Sequence, residues 1–386
     1  MSKQKYKNNI DILLLSDNGL ETVGGEQEST KIIINGVKNQ YNLGVIQPGR
    51  INSPTSGVHY YPLTEKTRIK HLIKNPFAFI RYIWNVRKII IRKRPKIIHT
   101  QAQVSFFIVG LLKKVGMIPK ETKLIHTERG LYTKYSTLIK NIFFFFISEL
   151  DVMVTTTKFN MRYWKSAVKE KGLSVDFKVI ENTAGKLFET YDKRFEKNNN
   201  ECLTIGFAGR YTDWKNWPLA VEISEKLNEQ LGEKLLVKMA VGCLDDKAEK
   251  ETKTMFEKLS NLLGHRFEGK INITLEEMDR FYYDLDVYIL TSNHNTESFG
   301  RTLVEAMSRK TVVLTTDSGG SVEVVGNQNN VCKTADEFVE RIIEIYSDDK
   351  KMRREVSLNL ERVKSKFSLS NNIEKHLKLY KFINND

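Results

Sequence analysis

Two glutamates, Glu297 and Glu305, flank a segment whose pattern predicts a phosphate-binding helix start. The segment, residues 296–307, follows an apolar run typical of a strand, and Gly300 marks the turn before a helical pattern. The first N–H groups of a helix lack intrahelical partners and lie at the positive end of the helix dipole, so such a start binds phosphate. This arrangement suits a nucleotide sugar, with one carboxylate on the sugar hydroxyls and the other on the ribose. An ordinary acid-capped helix start is the alternative.

A pair of cations follows a second predicted strand, residues 203–208. Gly209 predicts a tight turn there, and Arg210 and Lys215 stand five residues apart beyond it. Two cations at the carboxyl end of a strand can hold a diphosphate and stabilise it as a leaving group. A simple surface pair is the competing interpretation.

Gly24 and Gly25 follow the first predicted strand, residues 11–16, and would let the backbone approach a ligand closely. The segment is not a GxGxxG dinucleotide fingerprint. The sequence also lacks a P-loop, a G-x-S-x-G elbow and a His/Cys cluster for zinc. The run Asp284-Leu285-Asp286 lies just ahead of a predicted strand, and we interpret it as structural and not as a metal site.

Short apolar strands alternate with helical patterns and would position these residues. The predicted strands are residues 11–16, 96–100, 123–126, 151–155, 177–181, 203–208, 235–242, 266–269, 287–291 and 311–315. The predicted helices are residues 69–94, 103–115, 217–232, 247–263, 276–283 and 300–309. This alternation favours parallel sheets built from βαβ units, in which ligands bind outside the carboxyl ends of the strands.

A polar, Asn-rich run at residues 193–201 predicts a domain boundary. We predict a Rossmann-like N-terminal domain at residues 1–192, a Rossmann-like C-terminal domain at 201–366 and a C-terminal helix at 367–386. The fold class is therefore α/β, with two facing, doubly wound parallel-sheet domains and the expected site in the cleft between them.

The positive charge is concentrated in the first half of the chain. The net charge is +14, and residues 1–200 carry 34 Lys+Arg against 16 Asp+Glu. An anionic membrane face, a phosphate-rich acceptor and nucleic acid are competing partners for this half, beside an ordinary solvated surface. Three separated cysteines, a polar N-terminus and no apolar run near 20 residues predict a cytoplasmic protein with at most peripheral membrane contact.

The chain resembles family 4 of the retaining glycosyltransferases, which have the GT-B fold, over nearly its whole length. The most specific part is the E-x₇-E motif at Glu297 and Glu305, and the G-R-x₄-K run at residues 209–215 and Gly24-Gly25 agree with it. Weaker similarities lie at residues 180–185, 267–269 and 317–323. The GT-B fold implies that the C-terminal helix crosses back to the N-terminal domain.

The resemblance assigns roles to individual residues. Arg210 and Lys215 would hold the donor diphosphate, Glu297 the donor sugar and Glu305 the ribose. The remaining donor contacts would come from Gly24, Gly25, Ser298, Phe299, Gly300 and Thr302. Neither a metal nor a cofactor is expected, since the nucleotide sugar is a co-substrate.

One departure concerns an H-x-H-like run that many family members carry, because here Gln101 replaces its second histidine, after His99. We predict that His126, at the end of the following strand, faces the donor sugar, with Glu128 and Arg129 as candidate acceptor contacts. A polar group satisfied within a strand end is the alternative for either histidine.

The resemblance implies retaining, metal-independent transfer of a hexose or N-acetylhexosamine from a nucleoside diphosphate sugar, UDP-linked by the family's habit. The acceptor would be a glycan, a lipid-linked sugar or a cell-wall polymer. The competing hypotheses are a nucleotide-sugar isomerase of GT-B-like fold, a non-enzymatic polyanion-binding protein and an inactive homologue that binds a partner enzyme. No nucleic-acid-binding module is recognisable, so nucleic acid is not an expected partner.

Overall fold

The computed structural model describes residues 9–22, 24–191 and 202–385, so the predicted boundary segment 193–201 lies outside the described residues. The chain divides into two compact units, Met1–Glu181 with Ser370–Asp386, and Asn182–Leu369. No helix in the described ranges is long and apolar enough to cross a membrane.

The N-terminal unit is built on a seven-stranded parallel sheet. Its strands are β1 (Ile12–Leu15), β2 (Leu43–Gln47), β3 (Val58–Pro62), β4 (Ile97–Thr100), β5 (Lys123–Glu128), β6 (Val152–Thr155) and β7 (Asp176–Val179). Its helices are α1 (Gly25–Val37), α2 (Lys70–Ile73), α3 (Pro76–Lys93), α4 (Gln103–Lys114), α5 (Thr137–Ile147) and α6 (Lys158–Glu170). The strand order β3-β2-β1-β4-β5-β6-β7 reverses direction between β1 and β4, where a doubly wound sheet places its ligand crevice.

The C-terminal unit has a five-stranded parallel sheet. Its strands are β8 (Leu203–Arg210), β9 (Leu235–Gly242), β10 (Phe267–Ile271), β11 (Val287–Leu290) and β12 (Val312–Thr315). Its helices are α7 (Trp217–Leu231), α8 (Asp246–Leu263), α9 (Leu275–Tyr283), α10 (Arg301–Ser308), α11 (Gly320–Val325), α12 (Ala335–Tyr346) and α13 (Asp349–Arg362). The order β10-β9-β8-β11-β12 places the reversal between β8 and β11. The prediction of two doubly wound parallel-sheet units is confirmed.

Two local predictions are corrected. The predicted helix 69–94 is interrupted, because the Asn75 side chain accepts a hydrogen bond from the Ala78 N–H (3.1 Å) and Pro76 occupies the first turn of α3. The predicted turn at Gly209 is strand, since β8 pairs with β9 as far as Arg210 opposite Gly242. Strands β2 and β3 and several helices were not predicted.

The last helix, α14 (Leu369–Asn385), lies almost entirely in the N-terminal unit, as predicted. Buried Tyr380 places its hydroxyl 2.7 Å from Nδ1 of His99 on β4. Near its start, the Asn372 side-chain amide donates to the Glu181 carbonyl (2.6 Å), and Lys375 pairs with the Glu181 carboxylate. These contacts attach α14 to β4 and to the chain just after β7.

Acid should weaken this attachment. Burial lowers the pKa of His376 on α14 from 6.5 to about 4 and lowers that of His99 well below its ordinary value. At these two histidines the folded protein therefore binds fewer protons than the unfolded chain between about pH 6.5 and pH 4. Their contribution to the free energy of unfolding falls as the pH drops through that window. We expect the stability advantage of wild type over His376→Asn to shrink across it, measured by urea unfolding.

Asp17 in the same unit acts in the opposite direction, because burial and then Glu26 raise the pKa of Asp17 to about 6. Asp17 is present in both wild type and His376→Asn, so its contribution cancels in the difference between their free energies of unfolding. That difference is therefore more informative than the wild-type curve alone. The exposed His71 provides the control substitution, His71→Asn. A difference between wild type and His376→Asn that stays constant from pH 7 to pH 4 would contradict the expectation.

Candidate functional site

The turn after β8 is tied to the chain that follows β11. The Thr291 hydroxyl donates to the Lys215 carbonyl (2.8 Å), the Asn293 N–H donates to the Trp214 carbonyl (2.8 Å), and the Asn293 side-chain amide donates to the Asp213 carbonyl (3.1 Å). Because β8 and β11 are neighbours in a parallel sheet, both segments lie at its carboxyl edge. Three hydrogen bonds therefore fix the backbone of Lys215 at the expected ligand position.

Lys215 and Glu297 form the centre of the site. The Lys215 ammonium lies 2.6 Å from Oε1 of Glu297, and the Ser292 hydroxyl donates to the same oxygen (2.8 Å). Both carboxylate contacts fall on Oε1, which leaves Oε2 without a partner among the described residues. The lysine stem lies across Gly209, where an added Cβ would come 3.3 Å from Cε of Lys215, so a glycine at this strand position leaves the lysine its path.

The backbone around Glu297 is fixed by the loop after β12. The Glu297 N–H donates to the Ser318 carbonyl (2.8 Å), and the Gly320 N–H donates to the Glu297 carbonyl (2.8 Å). The two chains approach so closely that a Cβ on Gly320 would lie 2.1 Å from the Ser298 carbonyl oxygen. Only glycine fits there without moving the segment that carries Glu297.

Gly320→Ala should therefore destabilise the protein and reduce donor binding. Overpacking of this kind typically costs about 1–3 kcal/mol, because the backbone must shift to relieve the overlap. Gly242→Ala is the matched control, since a Cβ there meets its nearest neighbour at an ordinary 3.7 Å. Urea unfolding of both variants checks the prediction, and equal stabilities would contradict it.

Helix α10 starts as the sequence predicts. Gly300 is the N-cap of the helix. Its φ is +85°, a backbone conformation that residues other than glycine rarely adopt. Phe299 is buried and packs edge-on against Phe367, with ring centroids 5.5 Å apart. This contact fixes the loop before the helix to the core of the C-terminal unit. The Thr302 hydroxyl is buried in the first turn. The N–H groups of Arg301 and Thr302 at this helix end can donate to an anionic ligand.

Glu305 is buried, whereas Glu297 is half-buried. The Glu305 carboxylate accepts from the Tyr282 hydroxyl (2.9 Å) and pairs with Arg301 (Nε to Oε1, 3.2 Å). Burial raises the pKa of Glu305, while Arg301 and Tyr282 act in the opposite direction. Arg301 in turn donates to the Ala184 carbonyl (2.8 Å). The structure thus holds Glu305 in a fixed orientation behind the start of α10.

Arg210 is the exposed cation of the site. It ends β8, and its carbonyl accepts from the indole N–H of Trp217 (3.1 Å). Its guanidinium makes no ion pair within the described residues, in contrast to Lys215. Arg210 thus ends β8 and Lys215 lies in the turn that follows, and of the two only Lys215 has a carboxylate partner among the described residues.

In the N-terminal unit, Gly24 and Gly25 form the start of α1, the first helix after β1. Gly24 precedes the helix in extended conformation, and a Cβ on Gly25 would meet nothing within 4 Å. The Glu26 carboxylate bends back to the end of β1, where it accepts from the Ser16 hydroxyl (2.6 Å) and the Asp17 N–H (2.9 Å). Gly25 thus lies at an open, N–H-bearing helix end near the switch point of the sheet, whereas a Cβ on Gly24 would overlap the Gln27 side chain.

The structure places His126 in the interior of the unit. Its ring stacks on Phe106 (centroids 4.6 Å apart), Nδ1 lies 3.0 Å from the Thr100 hydroxyl, and Nε2 lies 3.2 Å from the Glu128 carboxylate. Glu128 is buried as well and also accepts from the Tyr135 hydroxyl (2.8 Å). A ring held by stacking and by two internal contacts presents no free nitrogen to a ligand, contrary to the prediction that His126 faces the sugar.

His99 and Gln101 are also buried, and Arg129 is half-buried, at the ends of β4 and β5. His99 lies between the Tyr380 hydroxyl and the Thr127 hydroxyl, each 2.7 Å away. Arg129 donates to the Gln101 carbonyl (2.6 Å) and to its side-chain oxygen (2.8 Å), and burial lowers the Arg129 pKa. The Gln101 amide nitrogen and Arg129 Nε have no partner among the described residues. Gln101 and Arg129 are thus the members of this group with unused donors.

Asp284 and Asp286 have structural contacts, as we interpreted from the sequence. Asp286 accepts from the Thr204 N–H (2.9 Å), and Asp284 pairs with Lys238 (3.1 Å). Within the described ranges, no group of three His, Cys, Asp or Glu side chains is arranged to hold a metal ion.

Sequence reasoning missed three side chains that position the site: Ser292, Tyr282 and Arg301. Ser292 shares Glu297 Oε1 with Lys215, while Tyr282 and Arg301 hold Glu305. The spacing of Arg301 and Glu305, four residues apart on a helix, could have revealed their pairing. Nothing in the local sequence indicates Ser292 or Tyr282.

Two doubly wound parallel-sheet units in one chain are typical of the GT-B class of fold, and a lysine and a carboxylate lie beyond the strand ends of the second unit. Residues 189–362, all within the C-terminal unit, match the family described as Glycosyl transferases group 1, which indicates a glycosyltransferase.

Solved structures agree on the fold. A glycosyltransferase from Rickettsia africae superposes with a TM-score of 0.76 at 19% identity, covering 97% of this chain and 99% of that one. Anabaena Alr3699/HepE in complex with UDP gives a TM-score of 0.73 at 14% identity, covering 96% and 99%. A Thermosynechococcus elongatus sucrose-phosphate synthase gives 0.73 at 15% identity, covering 96% and 98%.

Two curated relatives, from Caenorhabditis elegans and Xenopus laevis, share the name GDP-Man:Man(3)GlcNAc(2)-PP-Dol alpha-1,2-mannosyltransferase. The C. elegans protein is 25% identical over 191 residues, which are 46% of this chain and 38% of that protein. The X. laevis protein is 28% identical over 129 residues, which are 32% of this chain and 26% of that protein. The chain thus spans well under half the length of either relative.

Proposed function

We propose that the protein transfers a hexose or N-acetylhexosamine from a UDP-linked sugar to a glycan, lipid-linked or cell-wall polymer acceptor, with retention at the anomeric carbon. The observation that carries the proposal is the contact of Lys215 and Ser292 with Glu297 beside the start of α10. It brings together a cation, a carboxylate and a helix N-terminus, which are the groups needed to hold a sugar diphosphate.

Charge stabilisation at the leaving group would be the main catalytic contribution. Arg210, Lys215 and the N–H groups near Gly300 would share the negative charge that develops as the nucleoside diphosphate departs. Glu297, with Oε2 unused, would accept a hydrogen bond from a donor-sugar hydroxyl. Glu305 would bind the ribose with the carboxylate that Arg301 and Tyr282 already orient.

In the proposed retaining reaction, the leaving phosphate oxygen takes the acceptor proton as the new glycosidic bond forms and the sugar–phosphate bond breaks. No side-chain base is then required. The internal contacts of His126 support this, because neither ring nitrogen is available to a substrate. The donor contacts of Gly24 and Gly25 stay predictions.

The similar proteins differ in the nucleotide that their names carry. The two sequence relatives are named for GDP-Man, while HepE was solved with UDP and with UDP-glucose. We retain the UDP-linked donor and treat GDP-mannose as the direct competitor. The relatives' names also include a PP-Dol-linked glycan, which supports keeping lipid-linked acceptors within the proposal.

A thermal-shift panel of UDP- and GDP-sugars tests the donor, with Lys215→Ala measured in parallel. We expect one UDP-sugar to raise the Tm of wild type and to have little effect on the variant. Product analysis with that donor follows, and release of UDP only when acceptor is present separates transfer from isomerisation. If no nucleotide sugar shifts the Tm, the proposal is wrong.

Chelation should leave transfer unchanged. Lys215 and Arg210 would supply the positive charge that a divalent cation supplies in metal-dependent sites. We expect the same kcat/KM with excess EDTA and with added Mg²⁺ or Mn²⁺. A loss of about tenfold or more on chelation, restored by metal, would contradict metal-independent transfer.

A further inference from the structure

Helix α3 carries apolar side chains on two opposite faces. Its inner face, with Tyr82, Val86 and Ile90, is buried in the core of the N-terminal unit. Its outer side chains are exposed: Phe77 (87%), Ile80 (63%), Trp84 (48%) and Ile91 (41%). At 3.6 residues per turn these four lie within about 60° of one another around the helix. We call them the α3 outer face.

In the sequence, four aromatic residues are interleaved with the cations of residues 66–98: Phe77, Phe79, Tyr82 and Trp84. The structure buries Tyr82 and half-buries Phe79, and exposes Ile80 and Ile91 in their place. Ile73 on α2, just ahead of α3, is 50% exposed and extends the apolar surface. The exposed stripe is therefore more aliphatic than the sequence pattern predicted.

Cations border the outer face on both sides. By helical spacing, the exposed Arg81, Lys88 and Arg92 lie along one side and Arg87 along the other. The Arg87 guanidinium lies 4.8 Å from the centre of the Trp84 ring and donates to the Met117 carbonyl (3.2 Å). Residues 66–98 contain eleven Lys and Arg and no Asp or Glu. The apolar stripe is thus bordered by positive charge, and no acidic side chain of that segment offsets it.

We propose that the α3 outer face docks on an anionic lipid surface. A helix that presents large apolar side chains between basic ones lies in a membrane interface, with its apolar side chains among the acyl chains and its cations at the headgroups. Contiguous exposed apolar surface on a folded unit marks an interaction site, and the unopposed positive charge specifies an anionic partner. A nucleic acid would match the cations but would leave Ile80 and Ile91 in water.

This inference does not depend on the proposed transfer reaction, because it concerns lipid binding alone. Cosedimentation with vesicles tests it, using phosphatidylglycerol mixed with phosphatidylcholine and, in parallel, phosphatidylcholine alone. We expect binding to the anionic vesicles only, and weakening as salt rises. Phe77→Ser/Trp84→Ser should lower the partition coefficient by about tenfold or more, since both side chains would leave the apolar layer.

A second variant separates charge from apolar contact. Arg81→Gln/Lys88→Gln should lower binding by about fivefold for each charge removed, which corresponds to about 1 kcal/mol per basic side chain at an anionic surface. Leu262→Ser on α8 is the control, since Leu262 is similarly exposed (40%) but lies in the C-terminal unit. All variants should keep the wild-type Tm, because they change exposed side chains.

Equal binding to both vesicle types, or binding that Phe77→Ser/Trp84→Ser leaves unchanged, overturns the proposal. A short single-stranded RNA and a soluble polyphosphate serve as competitors. If either removes the protein from anionic vesicles and binds the Phe77→Ser/Trp84→Ser variant as tightly as wild type, the surface is a general polyanion site and the membrane assignment is wrong.

Discussion

Lys215→Ala is expected to lower kcat/KM for sugar transfer by about 100-fold or more. Lys215 Nζ lies 2.6 Å from Glu297, its carbonyl is bonded to Thr291, and its stem crosses Gly209, so its charge is fixed at the carboxyl edge of β8 before any ligand binds. A preorganised charge at a leaving group is worth about 2.7–4 kcal/mol in the transition state. Steady-state kinetics with the best donor of the thermal-shift panel measures the loss.

Lys226→Ala is the matched control. Lys226 also pairs with a carboxylate, Asp336 at 2.5 Å, but on α7, away from the strand ends. It should keep wild-type kinetics. Lys215→Arg tests whether the position of the charge matters as well as its sign. A guanidinium keeps the positive charge but does not follow the path of the lysine stem across Gly209. Turnover of folded Lys215→Ala within about threefold of wild type would contradict the assignment of the diphosphate to this lysine.

The parallel-sheet architecture could be predicted because buried strands such as β1, β11 and β12 are apolar runs between helical patterns. Strand β8 shows the limit of this reasoning. Gly209 suggests a turn by composition, yet the strand continues through it, because pairing with β9 decides where a strand ends. Strand β3 was missed for a related reason: its alternating, partly exposed residues become a strand only beside β2.

The C-terminal site could be predicted further than the N-terminal one. Its positions follow from features that the sequence shows, namely the ends of predicted strands and a glycine before a predicted helix. These features predict where Lys215, Glu297 and Gly300 lie. The orientation of His126 depends on Phe106, Thr100 and Glu128, which come from other strands and helices. A histidine at a strand end can point to either face of the sheet, and only these tertiary contacts place the ring inside.

The same distinction explains the α3 outer face. Helical spacing predicts which side chains share a side of α3, but two apolar sides are present, and the sequence does not show which one the core covers. Tyr82 and Val86 are buried because the sheet packs on that side, and Phe77 and Ile80 are left outside. Amphipathicity alone therefore does not separate the exposed Phe77 and Trp84 from the buried Tyr82.

Glu297→Ala is expected to reduce transfer by about 100-fold or more as well, through two losses. It removes the carboxylate proposed to hold the donor sugar, and it leaves the Lys215 ammonium without the partner that fixes it. Glu297→Gln should recover part of the activity, because the amide oxygen can still accept from Lys215 and Ser292. The control is Glu268→Ala. It removes a carboxylate on the edge strand β10 that pairs with Lys238 on β9, and it should leave the kinetics unchanged.

The double variant Lys215→Ala/Glu297→Ala distinguishes a coupled pair from two independent groups. Independent groups would multiply their effects, to about 10,000-fold if each single change costs about 100-fold. A pair that acts as a unit loses most of its contribution with the first substitution, so the double variant should fall only slightly below the weaker single variant. Because the ion pair and Ser292 converge on a single oxygen, we expect the second result. Fully multiplicative losses would show instead that Lys215 and Glu297 bind separate parts of the donor without depending on each other.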